Sequence, residues 1–333
     1  MRLAALHPRR LTASRRFRRN VLGVAEPPFP VPFICGATRS GTTLLRLMLD
    51  AHPQLAIPGE THFVVPMIRA SWRRARSADE LAAQIVASER WGDFHLDEGE
   101  LRARLRALDP LNCADALREF FRLYAEKQGK ERWGDKTPGY VRSMRLIQKV
   151  LPEARFIHII RDGRDVALSL VPRSWGPSTF AEAAENWRRR IEVARRQQPH
   201  LNHYIEVHYE DLVSDTPAVL RRVAEFMELD FDPVMLRYHE RAGERLAEKA
   251  RDLRKPWGTI SAASRIESHA LAERPPQADR VARWRTEMTE ADRRAYEAVA
   301  GDALVAAGYE LGGEGDDSTP AEPASHPAGD MSR

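Results

Sequence analysis

Residues 31–49 read VPFICGATRSGTTLLRLML. The first six, Val31–Gly36, are a β-type apolar run closed by glycine. The next seven are rich in glycine and hydroxyls. Leu44, Leu45, Met48 and Leu49 then recur at helical spacing. Strand, glycine loop and helix N-terminus in that order form a geometry that holds phosphate. Backbone N–H groups converge there and the helix dipole favours an anion. The spacing fits G-x-x-x-x-G, but Thr42 stands where an ATPase loop carries lysine. The positive charge sits inside the loop instead, at Arg39. Losing the lysine argues against ordinary nucleoside triphosphate hydrolysis, whereas an arginine still clamps a phosphate or sulfate. The plainer alternative is a strand–helix junction with its glycines there for packing.

A second stretch, 155–165, reads RFIHIIRDGRD. It has a buried-type strand ending in alternating charges, with a helix expected over 166–170. Asp162 allows a metal-carboxylate reading, which the missing lysine weakens. The other reading is an anion site separate from the first loop. Arg161 leaves the strand's C-terminal end, where open α/β sheets bind ligands. Ser169 follows two helical turns later and Arg173 closes the helix. Capping by Asp162 or Asp165, with solvated arginines, is the structural alternative.

Outward from these segments, further strands are expected at 131–134 and 203–208. Helices are expected over 42–51, 114–127, Phe180–Gln197 and 217–227. Strands alternating with helices imply an α/β fold, a parallel sheet flanked by helices. Residues 61–130 read as a helical insertion. The expected organisation is a basic mobile arm over 1–28, one domain over 29–311, and a disordered acidic tail over 312–333.

The chain has 333 residues, 43% hydrophobic and 30% charged, and 52 bases against 48 acids. That is globular composition, and long enough for a core without disulfides. Residues 1–20 hold seven arginines and no acid, and 312–333 hold five acids and one arginine. Residues 21–311 keep one more base than acid. The net charge therefore does not imply nucleic-acid binding by the body. The arm is a candidate contact for anionic surfaces, such as membrane or RNA, or simply a solvated terminus. No apolar run approaches the roughly 18 residues of a membrane span, and a cytoplasmic protein is expected. Cys35 and Cys113 read as small buried apolar residues.

The two phosphate-type segments together resemble the sulfotransferases that use 3′-phosphoadenosine 5′-phosphosulfate (PAPS). Within these, the likeness is to the tyrosylprotein sulfotransferases and their bacterial relatives. PFICGATRSGTTLLRLMLDAHPQLAIPGETHFV (32–64) is similar to their 5′-phosphosulfate loop, and FIHIIRDGRDVALSL (156–170) to their 3′-phosphate motif. GDKTP (134–138), VHYEDLV (207–213), SRIE (264–267) and the Trp284 region extend the likeness over about 31–311.

The resemblance implies that Arg39, Ser40, Gly41, Thr42 and Thr43 hold the 5′-phosphosulfate. It implies that Arg161 and Ser169 hold the 3′-phosphate with Arg173 beside them, and that Tyr209 lies near the nucleotide. A loop around Ser264 and Arg274 would close over the co-substrate. Glu60 is implied as general base, with its pKa expected to rise in a closed cleft. Lys136 and Arg39 would steady the leaving group, with no metal required. His62 is a rival base, standing where the tyrosylprotein branch has arginine. His52 reads as structural. Trp175, Trp187, Trp257 and Trp284 are candidates for an aromatic acceptor site or for core.

Alone, Glu60 reads as a helix N-terminal acid and Lys136 as a solvated lysine. The implied acceptor is a hydroxyl of tyrosine, another phenol, a sugar or a lipid, and the oligomeric state stays open, a homodimer being the option the likeness offers. The competing readings are a P-loop kinase or NTPase, a non-catalytic nucleotide-binding protein, and nucleic-acid binding through the arm.

Overall fold

A computed structural model describes residues 27, 29–255, 258–267 and 270–313. The segment 1–20, the acidic residues beyond 313 and Trp257 lie outside the described residues. Four strands form the main sheet: β1 (Val31–Gly36), β4 (Asp135–Lys136), β5 (Ala154–Ile160) and β6 (Tyr204–His208). Their order is β4-β1-β5-β6 and all pair in parallel. All six residues of β1 are buried, as a parallel strand covered on both faces must be. Between β1 and β5 the connections diverge to opposite sides. That is the switch point where open α/β sheets present a ligand crevice.

The strand expected at 131–134 divides in two. β3 (Arg132–Trp133) pairs with β2 (Leu55–Ala56) in a separate two-stranded sheet. Asp135 and Lys136 join β1 opposite Phe33 and Ile34. Gly134 is the step between them, where a Cβ would meet Pro32 Cγ at 2.6 Å. Only glycine lets the chain pass that close to β1.

Helix α1 (Thr42–Asp50) follows the first loop. Helices α2 (Val64–Arg73), α3 (Ala78–Val86), α4 (Glu98–Arg106) and α5 (Cys113–Lys127) fill the stretch between the two short strands β2 and β3. Their core is aromatic: Phe63, Phe94 and Phe120 meet edge to face with centroids 4.8–6.2 Å apart, the preferred geometry of such rings. Helix α6 (Met144–Val150) precedes β5, and α7 (Gly163–Leu170) follows it. α7 starts three residues before the expected 166 because Asp162 caps it, its Oδ1 accepting from Arg164 N–H at 2.9 Å. Helices α8 (Phe180–Gln197) and α14 (Glu290–Ala306) pack over the far face of the sheet. Between β6 and α14 come α9 (Tyr209–Ser214), α10 (Thr216–Phe226), α11 (His239–Ala247), the hairpin β7 (Leu253–Lys255) and β8 (Gly258–Ile260), α12 (Ala262–Glu267) and α13 (Trp284–Glu287). Cys35 and Cys113 are both buried and unbridged.

Candidate active site

The loop after β1 is shaped by two glycines. Gly36 has φ +153° and a Cβ there would meet Ile159 O at 2.4 Å. Gly41 has φ +93° and a Cβ would strike Tyr209 Cδ2 at 2.5 Å. Arg39 itself takes φ +71°, a region a non-glycine residue enters at a cost. Its Nε donates to Ser169 Oγ at 2.9 Å. Arg161 crosses from the end of β5 and donates to Arg39 O at 3.3 Å and to Arg280 O at 2.6 Å. Its guanidinium lies over the Tyr209 ring, 4.4 Å from the centroid, a cation–π contact. Arg173 Nε donates to Ser169 O at 3.0 Å. The two anion segments, expected as separate sites, are therefore one array, tied by Arg39 to Ser169.

This array opens on a cleft lined by Arg39, Gly41, Thr42, Thr43, Glu60, Arg161, Ser169 and Tyr209. Burial, with Arg173 and Arg161 nearby, lowers Arg39 to about 10. Arginines gathered this closely raise the affinity for an anion. The hydroxyl of Ser40 and the Nε atoms of Arg161 and Arg280 are buried without hydrogen-bond partners among the described residues. Such orphans call for a ligand.

Glu60 and Lys136 meet at the same cleft. Lys136 is wholly buried and its Nζ lies 3.0 Å from Glu60 Oε1 and 3.5 Å from Thr43 Oγ1. His62 Nε2 donates to Glu60 Oε2 at 2.9 Å, and Arg90 stands 3.8 Å from the same oxygen. Burial acts to raise the Glu60 pKa, but Lys136, His62 and Arg90 hold it well below the usual carboxylate range. The expected rise is thus corrected: the cations outweigh desolvation. Burial lowers Lys136, with Glu60 opposing.

Ser264 and Arg274, expected on a loop closing over the co-substrate, stand beside the cleft rather than in its lining. Ser264 is exposed on α12, its N–H bonded to Ser261 Oγ at 3.2 Å. Arg274 is exposed and offers its carbonyl to Tyr238 OH. Neither lines the cleft; Pro275, Pro276, Gln277, Arg280 and Arg283 do so from the same loop. The motif before Trp284 held the signal, in its run of arginines. The Asp162 carboxylate, considered for a metal, is gripped by Arg164 at 3.0 and 2.7 Å. That is the capping alternative, not a metal-facing carboxylate. Arg90 and buried Lys249, whose pKa burial and Lys136 lower, were not anticipated near Glu60. Neither lies in a motif.

His52 is structural. Its Nδ1 accepts from Gln54 N–H at 3.2 Å, which leaves Nε2 to donate to Asp230 O at 3.1 Å. Trp187 and Trp284 are core: Trp187 Nε1 donates to Arg161 O at 3.1 Å, and Arg164 stacks 3.4 Å from the Trp284 ring. Trp175 is exposed beside Arg173.

A glycine-shaped loop at the switch point of a parallel sheet, ringed by arginines and facing a lysine–glutamate pair, defines a nucleotide-site α/β protein of the P-loop-like class. The sequence profile of the sulfotransferase family matches residues 30–233, and the chain belongs to that family. Over 223 residues it is 28% identical to protein-tyrosine sulfotransferase 1 of Danio rerio, covering 65% of this chain and 58% of the relative. Over 227 residues it is 26% identical to protein-tyrosine sulfotransferase A of Caenorhabditis elegans, covering 65% and 54%. The chain thus spans little more than half the length of these curated relatives. The sulfotransferase domain from the Synechococcus PCC 7002 olefin synthase superposes with a TM-score of 0.58 at 22% identity, over 87% of this chain and 98% of that one. The sulfotransferase domain from the curacin biosynthetic pathway gives 0.57 at 19%, over 86% and 100%. These likenesses show the fold. Among the described residues no helix is long and apolar enough to cross a membrane.

Proposed function

We propose that the chain moves a sulfuryl group from PAPS, the co-substrate its family implies, to an acceptor hydroxyl. The observation that carries this reading is that Glu60, paired with buried Lys136 behind it, lines the same cleft as the Arg39–Ser169–Arg161 array. The residues fit the co-substrate. Orphaned donors at Ser40, Arg161 and Arg280 beside the helix N-terminus that opens α1 suit a multiply charged nucleotide. Ser40, Gly41, Thr42 and Thr43 would hold its 5′ end. Arg161, Ser169 and Arg173 would hold the 3′-phosphate, with Tyr209 alongside. Bound there, the co-substrate supplies a sulfur that exchanges its bond to phosphate for one to the acceptor oxygen, the phosphate keeping the electron pair.

Glu60 takes the acceptor proton. It is ionised at neutral pH, yet weakly basic while Lys136 lies on it. An anion entering beside Thr43 competes for the Lys136 ammonium, and drawing that charge away raises the basicity of Glu60. Lys136 and Arg39 meet charge developing on the leaving oxygen. The relatives' names support a phenolic hydroxyl as the first acceptor to try, with sugar and lipid hydroxyls as further arms.

Calorimetric titration with adenosine 3′,5′-bisphosphate, beside ATP–Mg²⁺ and AMP, tests the reading. Tight bisphosphate binding that weakens in Arg39→Ala and Arg161→Ala is expected. A preference for ATP–Mg²⁺ would overturn it.

A further inference from the structure

Thr61 stands between Glu60 and His62 and differs from both. Glu60 and His62 side chains are 22% and 41% exposed, whereas Thr61 is wholly buried. Every polar atom of Thr61 is engaged. Its N–H donates to Thr137 Oγ1 at 3.0 Å. Its carbonyl accepts from Phe63 N–H at 2.6 Å and from Ser88 Oγ at 3.3 Å. Its Oγ1 lies 2.7 Å from Asp135 Oδ2 and 2.9 Å from Tyr140 OH.

The direction of this chain follows from its two ends. Val64 N–H donates to Tyr140 OH at 3.1 Å, and with the Thr61 hydroxyl donating to the carboxylate the phenol's own proton goes to Thr61 Oγ1. All polarity runs one way and ends on a buried carboxylate whose Oδ1 has no hydrogen-bond partner among the described residues. Burying a carboxylate so incompletely satisfied costs stability.

What the arrangement gains is visible in the neighbours. Thr61 follows Glu60 and Asp135 precedes Lys136. Two hydrogen bonds therefore join the backbones that carry the reacting pair, Thr61 N–H to Thr137 Oγ1 and the side-chain bond of Thr61 to Asp135. The loop needs such a peg, because the chain leaves through His62 at φ +55°, a strained conformation that persists only where its surroundings enforce it. We propose that the Thr61–Asp135 hydrogen bond, oriented by Tyr140, is a positioning element that holds Glu60 against Lys136. This rests on the reading of Glu60 as the base.

The test uses the full chain and three variants, Thr61→Val, Thr61→Ser and Tyr140→Phe. Labelled-sulfate transfer gives kcat and the donor KM, and calorimetry gives the adenosine 3′,5′-bisphosphate Kd. Thr61→Val should lower kcat about 10–100-fold, the scale of a misplaced catalytic group, with donor KM and Kd within about 3-fold. Thr61→Ser, which keeps the hydroxyl, should restore kcat to within about 3-fold, and Tyr140→Phe should show a smaller loss. Unchanged kcat in Thr61→Val, or a loss of bisphosphate affinity in step with kcat, overturns the proposal. If Thr61→Val does not fold, an unchanged kcat in Tyr140→Phe overturns it.

A second readout does not need turnover. The ¹³C titration of Glu60, assigned by Glu60→Gln, reports its contact with Lys136, His62 and Arg90. The Glu60 pKa should rise in Thr61→Val or Tyr140→Phe and return in Thr61→Ser. A wild-type titration in both disrupted variants overturns the peg. A wild-type protein that transfers nothing to any acceptor sinks the functional reading instead, and the titration still decides the peg.

Discussion

Glu60 is charged and weakly basic for one reason, the cations around it. Lys136 touches it at 3.0 Å and His62 at 2.9 Å, and together with Arg90 they hold it well below the usual carboxylate range. The acid limb of the free-enzyme pH–rate profile should therefore lie below the ordinary glutamate pKa of about 4.3. Removing the ammonium in Lys136→Ala should move that limb to higher pH, because the carboxylate loses its principal stabiliser. A profile of kcat/KM against pH checks both. Glu60→Gln should lower kcat about 10²–10⁴-fold and leave bisphosphate binding intact or tighter, since it frees Lys136 for the anion, as read by turnover and calorimetry. Glu60 and Lys136 were each singled out through the resemblance alone, and their contact was not legible. The direction of the Glu60 shift was not legible either, because it depends first on Lys136 meeting Glu60 from 76 positions away.

At the scale of elements, the loop between β1 and α1 was legible in full. Its glycines, hydroxyls and flanking apolar runs each have a local physical meaning, and β1 and α8 fall where the pattern places them. The two-residue strands β2, β3 and β4 were not separable, since no periodicity exists over two residues. Which residues of the loop after α12 line the cleft was not legible, because a loop's facing side has no period: Pro275, Pro276 and Gln277 do so beside Arg274. The tight β1–α1 loop makes a sharp prediction. Gly41→Ala meets both a positive φ and a 2.5 Å approach to Tyr209. It should destabilise the protein by about 1–3 kcal/mol and weaken bisphosphate binding at least about 10-fold. Thermal unfolding and calorimetry on the same preparation separate the two effects.

The whole molecule carries the electrostatic cost of its buried acids. Burial pushes the Asp135 carboxyl up to about 7, against the opposing hydrogen bonds of Thr61 and Thr137. A carboxyl with a raised folded pKa binds its proton more tightly when folded. Its contribution is thus fullest at low pH and is lost as pH rises from about 4 to about 7. Over some three pH units the loss is at most about 4 kcal/mol. Denaturant unfolding across that range should show this slope, and Asp135→Asn should flatten it. The sheet and its covering helices were legible from alternating strand and helix patterns. The meeting of distant segments was not, and Arg39 with Ser169 is the clearest case, 130 positions apart and 2.9 Å from each other. On the proposed reading, that single bond would make recognition of the nucleotide a conjunction instead of a sum. A molecule that engages only one end leaves the arginine to be shared with Ser169, while one that engages both ends finds the two halves already aligned. Nucleotides with a 5′ chain but no 3′-phosphate should thus be rejected by more than the value of the missing contacts. The excess should vanish in Ser169→Ala, where the two ends would be read independently.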